Sequence, residues 1–221
     1  GLMHIYLIEA GPRLLAGMSE ESSAHAEQFL REMGVNILLN KRVVDYRDHK
    51  VVLEDGTEIA TRTFIWVSGV TGVTIGNLDA SLIGRGGRIK VDSFNRVEGM
   101  NNVFAIGDQC IQVADEDYPN GHPQLAQVAI QQGELLAKNL VRMEKGREMK
   151  PFHYRNLGSM ATVGRNRAVA EFSKVKMQGW FAWVMWLVVH LRSILGVRNK
   201  VIVLLNWVWN YFTYDQSMRM I

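Results

Sequence analysis

The chain has 221 residues, 48% of them hydrophobic, with 25 basic side chains against 22 acidic ones. That length and apolar content suffice for one large domain or two small ones and exclude a disordered chain. A formal charge of +3, with the basic residues scattered until near the end, gives no footprint for nucleic acid, and the single cysteine, Cys110, excludes an internal disulfide and dithiol chemistry.

The first elements read as strand, helix, strand. His4 to Ile8 is an apolar run closed by Glu9 and broken by Ala10-Gly11-Pro12. Ser19 can cap the next helix, with Ser22 and Ser23 in its first turns, Gly34 as its stop, and Ala26, Phe29, Leu30 and Met33 as its apolar face. Val35 to Leu39 then predicts a second buried strand, which completes a βαβ unit of an α/β protein. In a dinucleotide-binding βαβ fold, a strand-end acid takes the ribose hydroxyls, and a Gly-rich phosphate loop lies roughly twenty residues upstream. No G-x-G-x-x-G occurs in this chain. Glu9 is therefore an ordinary strand-end carboxylate, or the ribose ligand of a domain whose phosphate loop lies outside the sequence.

From Lys41 the hydrophobic period becomes two, with turns at Asp48-His49 and Asp55-Gly56, which predicts a β-meander of three or four short strands. His49 belongs to a turn and is expected to be solvated rather than a metal ligand. A last strand is expected over Phe64 to Val67, ending at Ser68-Gly69-Val70. The glycines Gly84, Gly86 and Gly87 read as a surface turn before a strand at Ile89 to Val91, rather than as a phosphate cradle.

The stretch from Asn101 to Gly133 carries the densest pattern. Val103 to Ile106 reads as a buried parallel strand that stops at Gly107-Asp108. Gly107 removes the Cβ that would keep a ligand off the backbone, and Asp108 offers a carboxylate to hydroxyl groups at the carboxyl end of that strand. Cys110 reads as a small buried filler, and Asp115-Glu116-Asp117 as a solvated loop without the spacing of a calcium site. Pro123 is placed at the first position of a helix running through AQVAIQQGELLAKNL. Gln127 and Gln131, four apart, share one helix face beside Ala126 and Ala129. After Pro151 a strand pair is expected, with turns or bulges at Gly158 and Gly164.

Most of the tryptophans fall in the tail: Trp180, Trp183, Trp186, Trp207 and Trp209. Uncharged runs lie between Lys176 and Arg192, with His190 neutral, and between Lys200 and Asp215; both are shorter than the roughly 18 to 20 apolar residues of a spanning helix. Lys174, Lys176, Arg192, Arg198 and Lys200 flank them. Aromatics edged by cations suit a lipid headgroup boundary, while a helical hairpin buried between two copies of the chain suits the same apolar residues.

VFAIGD followed by P-x-x-A-Q-x-A-x-Q-Q-G resembles the flavoprotein signature of type II NADH:quinone oxidoreductases, the single-subunit respiratory dehydrogenases. IYLIEAGPRLL, the I-W-x-x-G-V segment, GSMATVGR and the tryptophan-rich tail resemble further parts of that family. The resemblance implies part of a flavoprotein with two Rossmann-like dinucleotide-binding domains and a C-terminal helical membrane-anchoring domain. The boundaries it implies are 1–70 (part of the NADH-binding domain), 71–145 (part of the FAD-binding domain) and 146–221 (the anchoring and dimerisation domain). It further implies FAD against Gly107, Asp108, Ala126 and Gln127, NADH against Glu9 and Gly69, and a quinone lined by Gln127 and Gln131. The expected setting is peripheral, on the cytoplasmic face of the cell membrane, as a homodimer. The chain departs from the family at Asn156-Leu157, where many members have Asp-Lys, so no lysine is assigned to the quinone pocket. Without a Gly-rich loop the isolated chain is expected to be inactive. A relative of sulfide:quinone reductases, disfavoured by the single cysteine, and a non-catalytic membrane-binding or dimerisation module are the alternatives.

Overall fold

Local chemistry places the first helix where the sequence predicts it. In the computed structural model, which describes residues 3–213 except Thr74, Lys174 and Leu195, β1 (Ile5–Ile8), α1 (Glu20–Glu32) and β2 (Val35–Leu38) form a βαβ unit. The two strands pair in parallel from Ile5 against Val35 to Ile8 against Leu38. Ser19 caps α1 by accepting from the Ser22 amide, and Gly34 leaves the helix with φ +82°, a conformation that side chains resist. Lys174 and Asp215, expected to flank the tail helices, lie outside the described residues.

β3 (Val43–Arg47), β4 (Lys50–Leu53) and β5 (Glu58–Ala60) form the antiparallel meander. Its first turn is the pair Asp48-His49, both with positive φ, between the paired residues Arg47 and Lys50. The further strand expected at Phe64 to Val67 does not form. Ile65, Trp66 and Val67 are exposed, and no strand runs beside them among the described residues, so apolar content there found no ladder to join.

The chain divides into two compact units, Gly1–Phe64 with Gly158–Ile221 and Ile65–Leu157. The first unit continues after residue 158 with β8 (Ser159–Gly164), β9 (Arg167–Phe172) and β10 (Val175–Gln178), antiparallel in the order β10-β9-β8. Gly164 marks a register shift, as its place in the sequence suggests; β10 has no counterpart among the elements the sequence predicts. α3 (Gly179–Ser193) lies on this sheet, with Ala168, Ala170 and Ala182 fully buried between them. α4 (Val197–Thr213) follows and has no buried residue.

In the second unit β6 (Ile89–Val91) pairs in parallel with β7 (Cys110–Gln112), and α2 spans Ala126–Glu144. Ile89, Val91, Val97, Ala105 and Cys110 make one core, and Val128, Phe152 and Tyr154 a second. Two expectations are corrected here. Val103 to Ile106 is not the parallel strand: it is extended, bridges antiparallel through Phe104 to Arg96, and leaves Val103 exposed. The parallel partner of β6 lies just past the Gly107-Asp108 turn, where Ile111 and Cys110 are buried more completely. Pro123 is not the first helical residue either; Leu125 is the N-cap and Ala126 the first turn.

Candidate functional site

Gly107, Asp108 and Gln109 form a single 3-10 turn between the extended segment and β7. Gly107 has φ +67°, and a Cβ there would stand 3.2 Å from the Cβ of Ala129 on α2. Backbone conformation and the approach of α2 both favour glycine at this position. The Gly107 amide donates to Gln132 Oε1 at 2.7 Å. Gln132, buried in the middle of an amphipathic helix, also reaches the Cys110 thiol. Burial raises that thiol above its ordinary pKa, in keeping with a packing role for Cys110.

The turn leaves Asp108 exposed, and its carboxylate accepts no hydrogen bond among the described residues. The side chain of Gln109 forms two bonds with the Val73 backbone, at 2.9 and 2.6 Å, and so holds Gly72-Val73 beside the turn. Gly72 and Gly87 approach so closely that a Cβ on Gly72 would fall 2.3 Å from the Gly87 carbonyl oxygen. The glycine cluster thus serves backbone packing, as a turn. Nearby, α2 begins without a side-chain cap, so the partial positive charge of its first amides is not neutralised by its own N-cap.

Gln127 and Gln131 do share a face, and that face meets residues 150–157 running back along α2. Gln131 donates to the Arg155 carbonyl at 2.9 Å and accepts from the Arg155 amide at 3.1 Å; Gln127 Oε1 accepts from the Leu157 amide at 3.2 Å. Asn139, nearer the C-terminus of the helix, forms the same double bond with Lys150, at 2.8 and 2.9 Å. Asn139 is a poor residue for a helix interior, the one local hint that it had a partner.

Asp115 corrects the expectation of a solvated loop. It is 4% exposed and lies 2.9 Å from His122 Nε2, itself 1% exposed. Asp115 also accepts from the amides of Tyr154 and Asp117. Burial works to raise its pKa, but the His122 and amide hydrogen bonds outweigh it and hold the carboxyl below its ordinary range. His122 packs among Tyr118, Phe152 and Tyr154.

Glu9, in the first unit, is half-buried and accepts from the Gly11 amide at 2.7 Å. Gly69, in the second, has φ +105° and open space where a Cβ would project. In the tail, Trp183, Trp186 and Trp207 are half-buried and Trp180 and Trp209 exposed, while His190 stacks on Trp186 and donates to its carbonyl. No helix among the described residues is long and apolar enough to cross a membrane, and no cluster of three or more possible metal ligands occurs among them.

The parallel βαβ unit, the meander, and the parallel β6–β7 pair with the Gly107-Asp108 turn and α2 beside it define an α/β fold with Rossmann-like units. The family described as pyridine nucleotide-disulphide oxidoreductase matches residues 2–133, and the NDH2 C-terminal domain matches residues 156–214. A type II NADH:quinone oxidoreductase of Mycobacterium tuberculosis is 35% identical, over 92% of this chain and 44% of its own length. An internal alternative NAD(P)H-ubiquinone oxidoreductase of Arabidopsis thaliana is 32% identical, over 95% of this chain and 44% of its own. The solved structure of NDH2 from Plasmodium falciparum in complex with NADH has the same fold, with TM-score 0.84 and 18% identity, covering 96% of this chain and 58% of that one. The chain belongs to the pyridine nucleotide-disulphide oxidoreductase family, and spans about half the length of the curated relatives it matches.

Proposed function

We propose that this chain is part of a respiratory flavoenzyme that takes hydride from NADH onto FAD and delivers two electrons to a membrane quinone without pumping protons. The observation that carries the reading is the exposed Asp108 carboxylate beside the uncapped start of α2. A polyol chain needs such an acceptor, and a ring that becomes negative on reduction is stabilised by a helix N-terminus, so the residues present fit FAD. FAD, when bound, supplies the hydride acceptor and the two-electron relay.

The chain's own residues take the following roles. Asp108 accepts from the ribityl hydroxyls, Gly107 and Ala126 let the turn and helix approach the ring, and Gln127 borders it. Glu9 accepts from the ribose hydroxyls of NADH, and Gly69 leaves its space open to the nicotinamide. Gln127 and Gln131 mark the quinone end. The domain division is 1–70, 71–145 and 146–221, the last part lying on the cytoplasmic face of the cell membrane through its tryptophans and joining a second copy. A second reading, favoured by the absence of any buried residue in α4, is that the tail acts as a surface-binding module irrespective of catalysis.

The test is the visible absorption spectrum of the purified chain, with a search for FAD released on denaturation. A colourless protein is expected, because neither Gly-rich pyrophosphate loop is in this sequence. Stoichiometric FAD overturns the claim that the chain alone is inactive. In the complete protein, Asp108→Ala is expected to lose the flavin bands; full retention sinks the assignment of Asp108.

A further inference from the structure

Residues 150–157 run back along α2 yet belong to no sheet. What fixes them is a row of side-chain amides on α2: Asn139 with Lys150, Gln131 with Arg155 and Gln127 with Leu157, in antiparallel order. A primary amide carries acceptor and donor side by side, so its double bond to a peptide reproduces one rung of a β-ladder. The segment between is tied at Phe152, whose amide donates to the Ser93 carbonyl and whose carbonyl accepts from Gln112. Tyr154 is tied through Asp115.

Both polar atoms of Gln131 are engaged by Arg155, which makes its amide a poor direct contact for a ligand. Leu157, by contrast, is 56% exposed beside Gln127, the second residue of α2. We infer that Gln131 is a positioning residue: it pins the strap 150–157, and the strap presents Leu157 as the apolar surface that a quinone ring meets at the start of α2. This rests on the quinone approaching that end, as proposed above. The consequence differs from a direct role. Replacing Gln131 acts through strap mobility, and the electron-donating half of the reaction is untouched.

The test combines two readouts. The first is hydrogen exchange of the Arg155 amide in the 221-residue chain, compared between wild type, Gln131→Met, which keeps volume and removes both bonds, and Gln131→Glu, which keeps the acceptor. The second is steady-state kinetics of the complete flavoenzyme with ubiquinone-1, and with ferricyanide as an acceptor that takes electrons without a quinone pocket. For Gln131→Met we expect Arg155 exchange to rise roughly tenfold while the interior of α2 stays protected. The KM for ubiquinone-1 is expected to rise about three- to tenfold with the ferricyanide rate unchanged, and Gln131→Glu to recover part of both effects. Unchanged Arg155 exchange with a raised KM means that Gln131 touches the quinone itself, which overturns the inference. Faster exchange with an unchanged KM overturns it as well. An arylazido-ubiquinone probe separates this from failure of the underlying reading. Label absent from α2 and the strap of the wild type removes the quinone from this end altogether, whereas label present with exchange insensitive to Gln131→Met removes the positioning role alone.

Discussion

Glu171 and Arg167 stand four residues apart on β9 and hold opposite ends of α1. Glu171 accepts from the Ser19 amide at 3.0 Å and from the hydroxyls of Ser19 and Ser22, at the helix N-terminus. Arg167 donates to the Phe29 carbonyl at 3.1 Å and pairs with Glu32 at 3.2 Å, at the C-terminus. An acid at the positive end and a base at the negative end complement the helix dipole from a strand distant in sequence. Glu171→Ala should therefore cost about 1–2 kcal/mol, the scale of losing a helix cap. Arg167→Ala should cost less, about 0.5–1 kcal/mol, because its ion pair is partly exposed. Urea unfolding followed by the helical signal checks the order; equal and negligible losses count against the clamp.

The same carboxylate sets a pH dependence. Burial works to raise the Glu171 pKa, but the Ser19 and Ser22 hydrogen bonds bring it below the ordinary 4.5. A depressed folded-state pKa means a contribution that is complete above the ordinary value and fades as pH falls through the depressed one. Asp115 behaves in the same sense below its ordinary 3.8. Asp115→Asn, which removes the carboxylate charge from these buried hydrogen bonds, should lose about 1–3 kcal/mol at neutral pH. It should also flatten the acid limb of the stability profile, measured as urea midpoint against pH. A variant with the wild-type acid limb assigns the acid sensitivity to other groups.

Gly72 and Gly107 are expected to reject side chains for different reasons. At Gly107 the cost of alanine is mainly the positive φ, about 1 kcal/mol, because the 3.2 Å approach to Ala129 can relax. At Gly72 the added Cβ meets the Gly87 backbone at 2.3 Å, which no rotamer change relieves, so Gly72→Ala should be the more damaging of the two. Thermal unfolding of both variants tests the ranking, and Gly107→Ala falling further than Gly72→Ala reverses the argument.

What is legible in the sequence is what acts locally. Ser19, Gly34 and the Asp48-His49 turn work within a few residues of themselves, so their neighbours in the chain suffice to assign their roles. The shared face of Gln127 and Gln131 follows from helical spacing alone. Their partners, Arg155 and Leu157, do not, because those backbone groups lie 24 and 30 residues on and carry no side-chain signal. Val103 to Ile106 and Phe64 to Val67 show the complementary failure. Apolar content predicts strands there, but at Phe64 to Val67 no strand pairs with the segment, and at Val103 to Ile106 the backbone alongside is residues 95–97, met antiparallel in one bridge; composition encodes neither partner nor direction. Asp115 escapes for a related reason: three adjacent acids suggest solvent unless the histidine seven residues later is known to fold back on one of them.

The tail gives the last prediction, and the fold changes how it should be tested. Removing everything after residue 172 would strip away β10 and α3, whose Ala182 seals Ala168 and Ala170 in the sheet, so lost membrane binding could reflect lost folding. α4 has no buried residue; its ties include the Arg165 guanidinium, which donates to the Tyr211 carbonyl and lies 4.6 Å over the Tyr211 ring, and the ring contacts of Trp183 with Tyr211 and Trp186 with Trp207. Deleting residues 197–221 should therefore shift the urea midpoint little while removing Trp207, Trp209, Leu205 and Phe212 from any lipid contact. Co-sedimentation with vesicles containing anionic lipid is expected to fall sharply on that deletion. Binding of the intact chain should weaken with added salt, since Arg198 and Lys200 sit at the start of α4. Binding that survives the deletion unchanged places the lipid-facing surface elsewhere and sinks the anchoring role of α4.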